Sequence, residues 1–273
     1  MITQLIIFGA NGMLGTYLTS YFRKKPEYDV IACTRAEFEI TIESLSTLED
    51  VIAAYHIGKH TCIINCTGLI PQRASTRTIE EYDVVNALFP QYLSKICRSH
   101  QAQLICPTTD CVFSGKKGKY TEYDHPDETS PYGISKLLGE PVDATVIRTS
   151  IIGEETNSRV SFLEFVRQSR GTITGWSNHH WNGITCYQYC KLIDAILSQN
   201  LFWKGVRHIS SPEPKTKYEM ACLIREVYQV PCFIQQEDCP LSVDKTLTSV
   251  FEPLFSIPPL EQQLREQREF TLA

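Results

Sequence analysis

Residues 4–15 read QLIIFGANGMLG, and the fold follows from how that run divides. The first five residues are mostly apolar and rich in isoleucine, as expected of a strand covered on both faces. Glycines then fall at 9, 12 and 15, and GMLGTYLTSYFRKK continues with helical spacing. In a strand–turn–helix unit the first glycine permits a tight turn. The second lets backbone approach a pyrophosphate, and the third lets helix pack on strand. The helix N-terminus then offers unpaired N–H groups and a partial positive charge to phosphates. A G-x-x-G-x-x-G run is common by itself, and a structural glycine turn is the competing reading. Its place at the first strand–helix junction favours a dinucleotide site, with Gly9, Asn11, Gly12 and Gly15 as cofactor residues.

Outward from that corner the pattern repeats. DVIACT, TCIINCTG, AQLICPTT and ATVIRTSII read as further apolar strands, with STLEDVIAAYHI and EEYDVVNALFPQYLSKICRSH as helices between them. Pro90 inside the second of these is expected to bend it. Apolar strands separated by helices imply a parallel sheet covered on both sides. The predicted fold class is therefore α/β, a doubly wound Rossmann-type sheet. After Gly153 the alternation loosens. VSFLEFVRQS and KTKYEMACLIREVYQV read as helices, whereas CYQYCKLIDAILSQ and GVRHIS read as a return to the first domain, and the end of the chain reads as a Pro-rich tail. The expected division is 1–153 plus 186–210 for a nucleotide domain, with 154–185 plus 211–273 forming a smaller C-terminal substrate-binding lobe.

At 273 residues, with 42% hydrophobic and 21% charged residues, the chain has enough apolar material for a substantial core. A net charge of −5 without a basic run argues against nucleic acid as a partner. No apolar run is long enough to span a membrane and no secretion signal is visible, so a cytoplasmic location is expected. The 11 cysteines lie mostly in apolar runs and read as small buried thiols. His179, His180, Cys186 and Cys190 match no common zinc spacing, so no metal is expected.

Two further stretches carry chemistry. The second strand ends in ACTRAEF, where an NAD site usually has an acid for the ribose 2′-OH. Thr34 and Arg35 there suit a 2′-phosphate, so NADPH is the expected cofactor, with NADH the alternative. SPYGISK (130–136) places Tyr132 and Lys136 one helical turn apart if a helix starts near Pro131. A phenol with a pKa of about 10 is a poor acid–base group at neutral pH. A neighbouring ammonium is expected to lower that value, so that Tyr132 exchanges a proton with a carbonyl oxygen. Upstream, Thr108 and Thr109 end a strand, where open α/β sheets bind ligands, and Thr109 is placed to bond a substrate carbonyl.

Together these residues resemble the extended short-chain dehydrogenase/reductases, and within them the dTDP-4-dehydrorhamnose reductase family. The likeness is sharpest at GANGMLG, at TTDCVFSGKKGKYTEYDHPDETSPYGISKLLGE and at VIRTS, and weakens in the C-terminal lobe. It implies reduction of the 4-keto group of a nucleotide-linked 4-keto-6-deoxysugar, with Thr109, Tyr132 and Lys136 as the catalytic trio. It also implies that Gly12, Met13 and Leu14 hold the pyrophosphate and that Glu39 and Ile40 meet adenine. Cys66, Thr67 and Gly68, after the family's fourth strand, would line the nicotinamide side. Cys111 and Ile151 stand where relatives often carry aromatic residues near the sugar, so a UDP-linked or otherwise different sugar stays open. NHHWNGIT, with Asn182, is placed at the substrate cleft. A homodimer is the expected assembly. Two other readings keep the same fold: an epimerase or dehydratase that regenerates its cofactor, and a non-catalytic dinucleotide-binding regulatory subunit.

Overall fold

The computed structural model describes residues 1–71, 78–156, 159–270 and 272. The apolar runs become strands β1 (Gln4–Phe8), β2 (Asp29–Cys33), β3 (Thr61–Asn65), β4 (Gln103–Thr109) and β5 (Thr145–Thr149). Short β6 (Ile151–Ile152), β7 (Gly171–Trp176), β8 (His179–Trp181) and β9 (Ile184–Thr185) precede β10 (Gly205–His208). β11 (Lys215–Thr216), β12 (Cys232–Glu237) and β13 (Val243–Asp244) complete the set.

Six strands form one sheet in the order β10-β5-β4-β3-β1-β2, with every neighbouring pair parallel. This is a doubly wound sheet. Strand order reverses between β1 and β3, and the crevice outside such a switch point is where these sheets hold ligands. TCIIN is thus the third strand of the chain, not the fourth.

Side-chain alternation along each strand splits the core in two. Leu5, Ile7, Cys62, Ile64, Ile105 and Ile147 face α1 (Met13–Arg23) and α7 (Cys186–Gln199). Ile6, Phe8, Ile63, Leu104, Cys106 and Val146 face the other side. There they meet α2 (Leu48–Ala53) and the long segment formed by α3 (Ile79–Tyr82) and α4 (Phe89–His100). Phe8 sits edge-on to Phe89 with ring centres 5.3 Å apart, so β1 and α4 are locked just below the glycine corner.

Pro90, expected to bend the long segment, falls in the first turn of α4, and just before it Asp83–Leu88 winds as a π-helix between α3 and α4. Proline offers no N–H to the carbonyl of residue 86 and its ring crowds that carbonyl, so a wider turn there relieves the clash. Gly139 approaches the same carbonyl so closely that a Cβ would lie 1.7 Å from the Asn86 oxygen. That places α5 (Pro131–Leu138) directly against the π turn.

A third cluster joins α6 (Phe162–Gln168), α8 (Lys217–Tyr228) and α9 (Leu260–Glu269) through Leu163, Val166, Met220, Ile224 and Leu264. The end of the chain is more ordered than its proline content suggests. β12 pairs in parallel with β7, and α9 packs on α7, α8 and β9. Only one residue of β12, Ile234, is buried, so the local pattern carried little strand signal.

Candidate active site

The glycine corner lies at the switch point. Gly9 has φ +74°, and a Cβ on it would come within 2.8 Å of the Cys66 carbonyl carbon at the end of β3. A Cβ on Gly15 would lie 2.1 Å from the Gly9 oxygen, so the helix-to-strand approach requires glycine. Gly12 is the N-cap of α1, with no side-chain cap and no acid in the first turn. The start of the helix therefore keeps its positive end open to an anion.

In front of this corner is a cavity of about 710 Å³, within the size range of small-molecule sites. Gly9, Asn11, Gly12, Thr34, Arg35, Glu39, Ile40, Cys66, Thr67 and Gly68 all line it. Met13, Leu14 and Gly15 form the first turn of α1 behind the wall. The sequence reading missed Phe38, Leu69, Asp83, Val84 and the acids Glu43, Glu80 and Glu81, which also line the cavity. Among the described residues, Arg35 is the one basic residue in that lining. Thr34 is engaged: its N–H and hydroxyl donate to Glu37 at 2.7 and 2.6 Å. Those bonds hold the exposed Glu37 carboxyl below its ordinary value and tie the turn that carries Arg35.

The tyrosine helix begins as the sequence indicated. Ser130 caps α5 by accepting the Gly133 N–H at 3.2 Å, and Pro131 occupies the first helical position. Tyr132 and Lys136 then share one face. The Tyr132 ring lies edge-on to Tyr82, 6.3 Å between centres, and its hydroxyl is near enough to the Thr109 side chain to feel it electrostatically. Thr109 also receives the Cys111 N–H at 3.1 Å and donates to Asp110 at 3.2 Å. Lys136 Nζ points to the Pro107 carbonyl at 3.5 Å, near Cys66 and Cys106.

One expectation is reversed. Burial pushes the Tyr132 phenol well above its ordinary value, with Cys111 adding to the rise; the Thr109 side chain opposes it, and Lys136 is not among the causes. Desolvation of the phenolate outweighs the ammonium one turn away. Burial also lowers Lys136, against the pull of Cys106, Glu140 and Cys66. Tyr132 is therefore held in its neutral, proton-donating form.

Asn86 is a residue the sequence did not single out. It is buried in the π turn, donates to Leu69 O at 3.0 Å and Ser135 Oγ at 3.1 Å, and accepts the Leu69 N–H at 2.9 Å. It thus ties the cavity wall after β3 to the helix that carries Tyr132 and Lys136. Asp110, buried beside Thr109, was also missed, and burial raises its carboxyl.

The remaining candidates divide. The Thr108 hydroxyl is buried and makes no hydrogen bond among the described residues. Burial, then Asp110, pushes the half-buried Cys111 thiol up to about 12, which keeps it protonated. Ile151 packs against the α1–α7 core. Asn182 donates to Leu247 O and accepts its N–H, both at 2.8 Å, so its amide fastens the segment after β13. No group of three or more metal-ligating side chains occurs among the described residues, and Cys186 and Cys190 are buried in the core. Among those residues no helix is long and apolar enough to cross a membrane.

A family model described as the RmlD substrate binding domain matches residues 3–257. The chain belongs to that family. It is 33% identical over 159 residues to the dTDP-4-dehydrorhamnose reductase of Mycobacterium tuberculosis (strain ATCC 25618 / H37Rv), covering 54% of this chain and 49% of that protein. The match thus spans about half the length of this curated relative. The beta subunit of methionine adenosyltransferase 2 from Xenopus laevis is 26% identical over 251 residues, 84% of this chain and 73% of that one. In fold, the chain is similar to a dTDP-4-dehydrorhamnose reductase from Bacillus anthracis str. Ames solved with NADP. The TM-score is 0.81 at 20% identity, covering 98% and 99% of the two chains. The RmlD family and the doubly wound fold are thereby established.

Proposed function

We propose that this RmlD-family chain is an NADPH-dependent reductase of the 4-keto group of a nucleotide-linked 4-keto-6-deoxysugar, serving activated deoxysugar and glycan synthesis. One observation carries the reading: Thr109 and Tyr132 lie side by side, and Lys136 reaches Pro107 O and lies near Cys66, which lines the cavity at the glycine corner. The cavity fits a dinucleotide, because the Gly9 position leaves no room for a side chain and the α1 N-terminus faces it uncapped. In this reading Gly12, Met13 and Leu14 hold the pyrophosphate, Arg35 takes the 2′-phosphate, and Lys136 bonds the nicotinamide ribose. The curated relatives named dTDP-4-dehydrorhamnose reductase and the NADP in the Bacillus anthracis structure support the assignment.

The bound nicotinamide would supply hydride to the carbonyl carbon. Tyr132 Oη gives its proton to the carbonyl oxygen as negative charge develops there, and Thr109 Oγ1 steadies that oxygen by a hydrogen bond. A phenol held neutral suits this direction, since the donor arrives loaded. Even a raised tyrosine is a stronger acid than the alcohol formed. The division into 1–153 plus 186–210 and 154–185 plus 211–273, the cytoplasmic location and the homodimer belong to the same proposal. Sedimentation tests the last of these.

The test is NADPH oxidation against dTDP- and UDP-linked 4-keto-6-deoxysugars, with the product identified by NMR. Stoichiometric oxidation supports a reductase. Conversion without net oxidation marks an epimerase or dehydratase instead. The longer match to the beta subunit of methionine adenosyltransferase 2 favours one other reading, a dinucleotide-binding regulatory subunit. NADPH binding without turnover of any sugar in the panel would select it.

A further inference from the structure

Three strands of a small sheet meet at His180. Thr216 of β11 pairs with it on one side and Asp244 of β13 on the other, and the Lys245 N–H donates to His180 O at 3.3 Å. The residue after each partner is a lysine, Lys217 at the start of α8 and Lys245. Thr216 and Asp244, which precede them, are two strand spacings apart, about 10 Å. Lys245 Nζ lies 3.5 Å from Glu128 Oε2, and Glu128 Oε1 accepts the N–H of Ser130, the N-cap of α5, at 3.0 Å. Lys245 thus abuts the turn that carries Tyr132.

Lys217 is placed differently. It makes no ion pair among the described residues, and its ammonium lies 4.6 Å from the centre of the Phe162 ring. It is half-buried in the first turn of α8, where the helix dipole disfavours a cation. Among the described residues no hydrogen-bond acceptor meets its three N–H groups, and a partly desolvated ammonium is costly until one arrives. Burial raises the Asp110 carboxyl, and Lys245 then Lys217 pull it back down, so both ammonium groups lie within electrostatic reach of the residue after Thr109.

We propose that Lys217, flanked by Lys245, is an oxyanion-recognition site of the small lobe, and that it holds a phosphate of the nucleotide-linked substrate beside Tyr132. This rests on the nucleotide-sugar reading above.

The experiment titrates the full chain, saturated with NADPH, with dTDP, UDP, thymidine and uridine by calorimetry. Wild type, Lys217→Met and Lys217→Arg are compared, with thermal unfolding to confirm that each folds. The expected result is diphosphate binding weakened about tenfold or more in Lys217→Met, the size of a lost charged hydrogen bond. Nucleoside and NADPH affinities stay as they were, and Lys217→Arg restores diphosphate affinity to within about threefold. KM for the intact sugar nucleotide rises by a similar factor, with a smaller change in kcat. Equal diphosphate affinities in wild type and Lys217→Met, or no diphosphate binding by wild type, overturns the proposal. Weaker binding of the intact sugar nucleotide with unchanged diphosphate binding also overturns it, because the anion would then be a carboxylate on the sugar. Diphosphate binding through Lys217 without NADPH oxidation would sink the reductase and leave this site standing.

Discussion

Replacing Tyr132 by phenylalanine removes one hydroxyl and leaves the ring. The edge contact with Tyr82 needs only the ring, and Thr109 keeps the Cys111 N–H and the Asp110 carboxyl as partners. The stability change should therefore be about 1 kcal/mol, a few degrees in Tm for a chain of this size. The catalytic loss should be far larger. A positioned general acid contributes about 10²–10⁴-fold, or roughly 3–5 kcal/mol of barrier. The cavity wall at Gly9, Arg35 and Cys66 is untouched, so NADPH affinity stays constant. The assay is the fall in NADPH absorbance under saturating sugar nucleotide, with cofactor affinity measured separately by fluorescence. A variant that keeps more than about a tenth of the wild-type rate would refute Tyr132 as the proton donor. So would one that loses its rate only because the cofactor no longer binds.

Gly9→Ala forces a side chain into a backbone at φ +74° and within 2.8 Å of Cys66, at a cost of about 1–3 kcal/mol; NADPH titration should show binding lost or strongly weakened. Arg35→Ala should raise KM for NADPH about tenfold and leave NADH unchanged, and equal effects on the two cofactors would remove Arg35 from the 2′ position. For pH, both Tyr132 and Lys136 must be protonated. Burial holds the first above its ordinary value and the second below, so kcat/KM should be flat through neutral pH and fall first as Lys136 loses its proton. Lys136→Arg, whose guanidinium does not titrate, should move that alkaline limb upward, and a pH–rate profile reads the shift.

The strands of the main sheet and the glycine corner were legible because their signals are local. A strand covered on both faces must be mostly apolar, as β1 and β3 are; Gly9 is demanded by its positive φ and Gly15 by its contact with the Gly9 oxygen within the same turn. The Tyr132–Lys136 pair was legible for the same reason, since four residues make one helical turn. β12 was not. It borrows its order from β7, some 60 residues earlier, and exposes most of its own side chains. Asn86 was hidden as well, because its partners Leu69 and Ser135 lie 17 and 49 residues away.

By itself, then, the order of residues determined a doubly wound sheet, a glycine corner at Gly9–Gly15 and a tyrosine helix beginning at Ser130. Each depends on periodicity or sterics over a few residues. Tertiary structure alone decided how these parts act together. It brought Thr109 to Tyr132, relieved Pro90 with a π turn, and set two lysines on either side of His180. It also reversed the direction of the Tyr132 shift. A pKa reports how much water and charge surround a group from every side, and segments distant in the chain supply that surrounding.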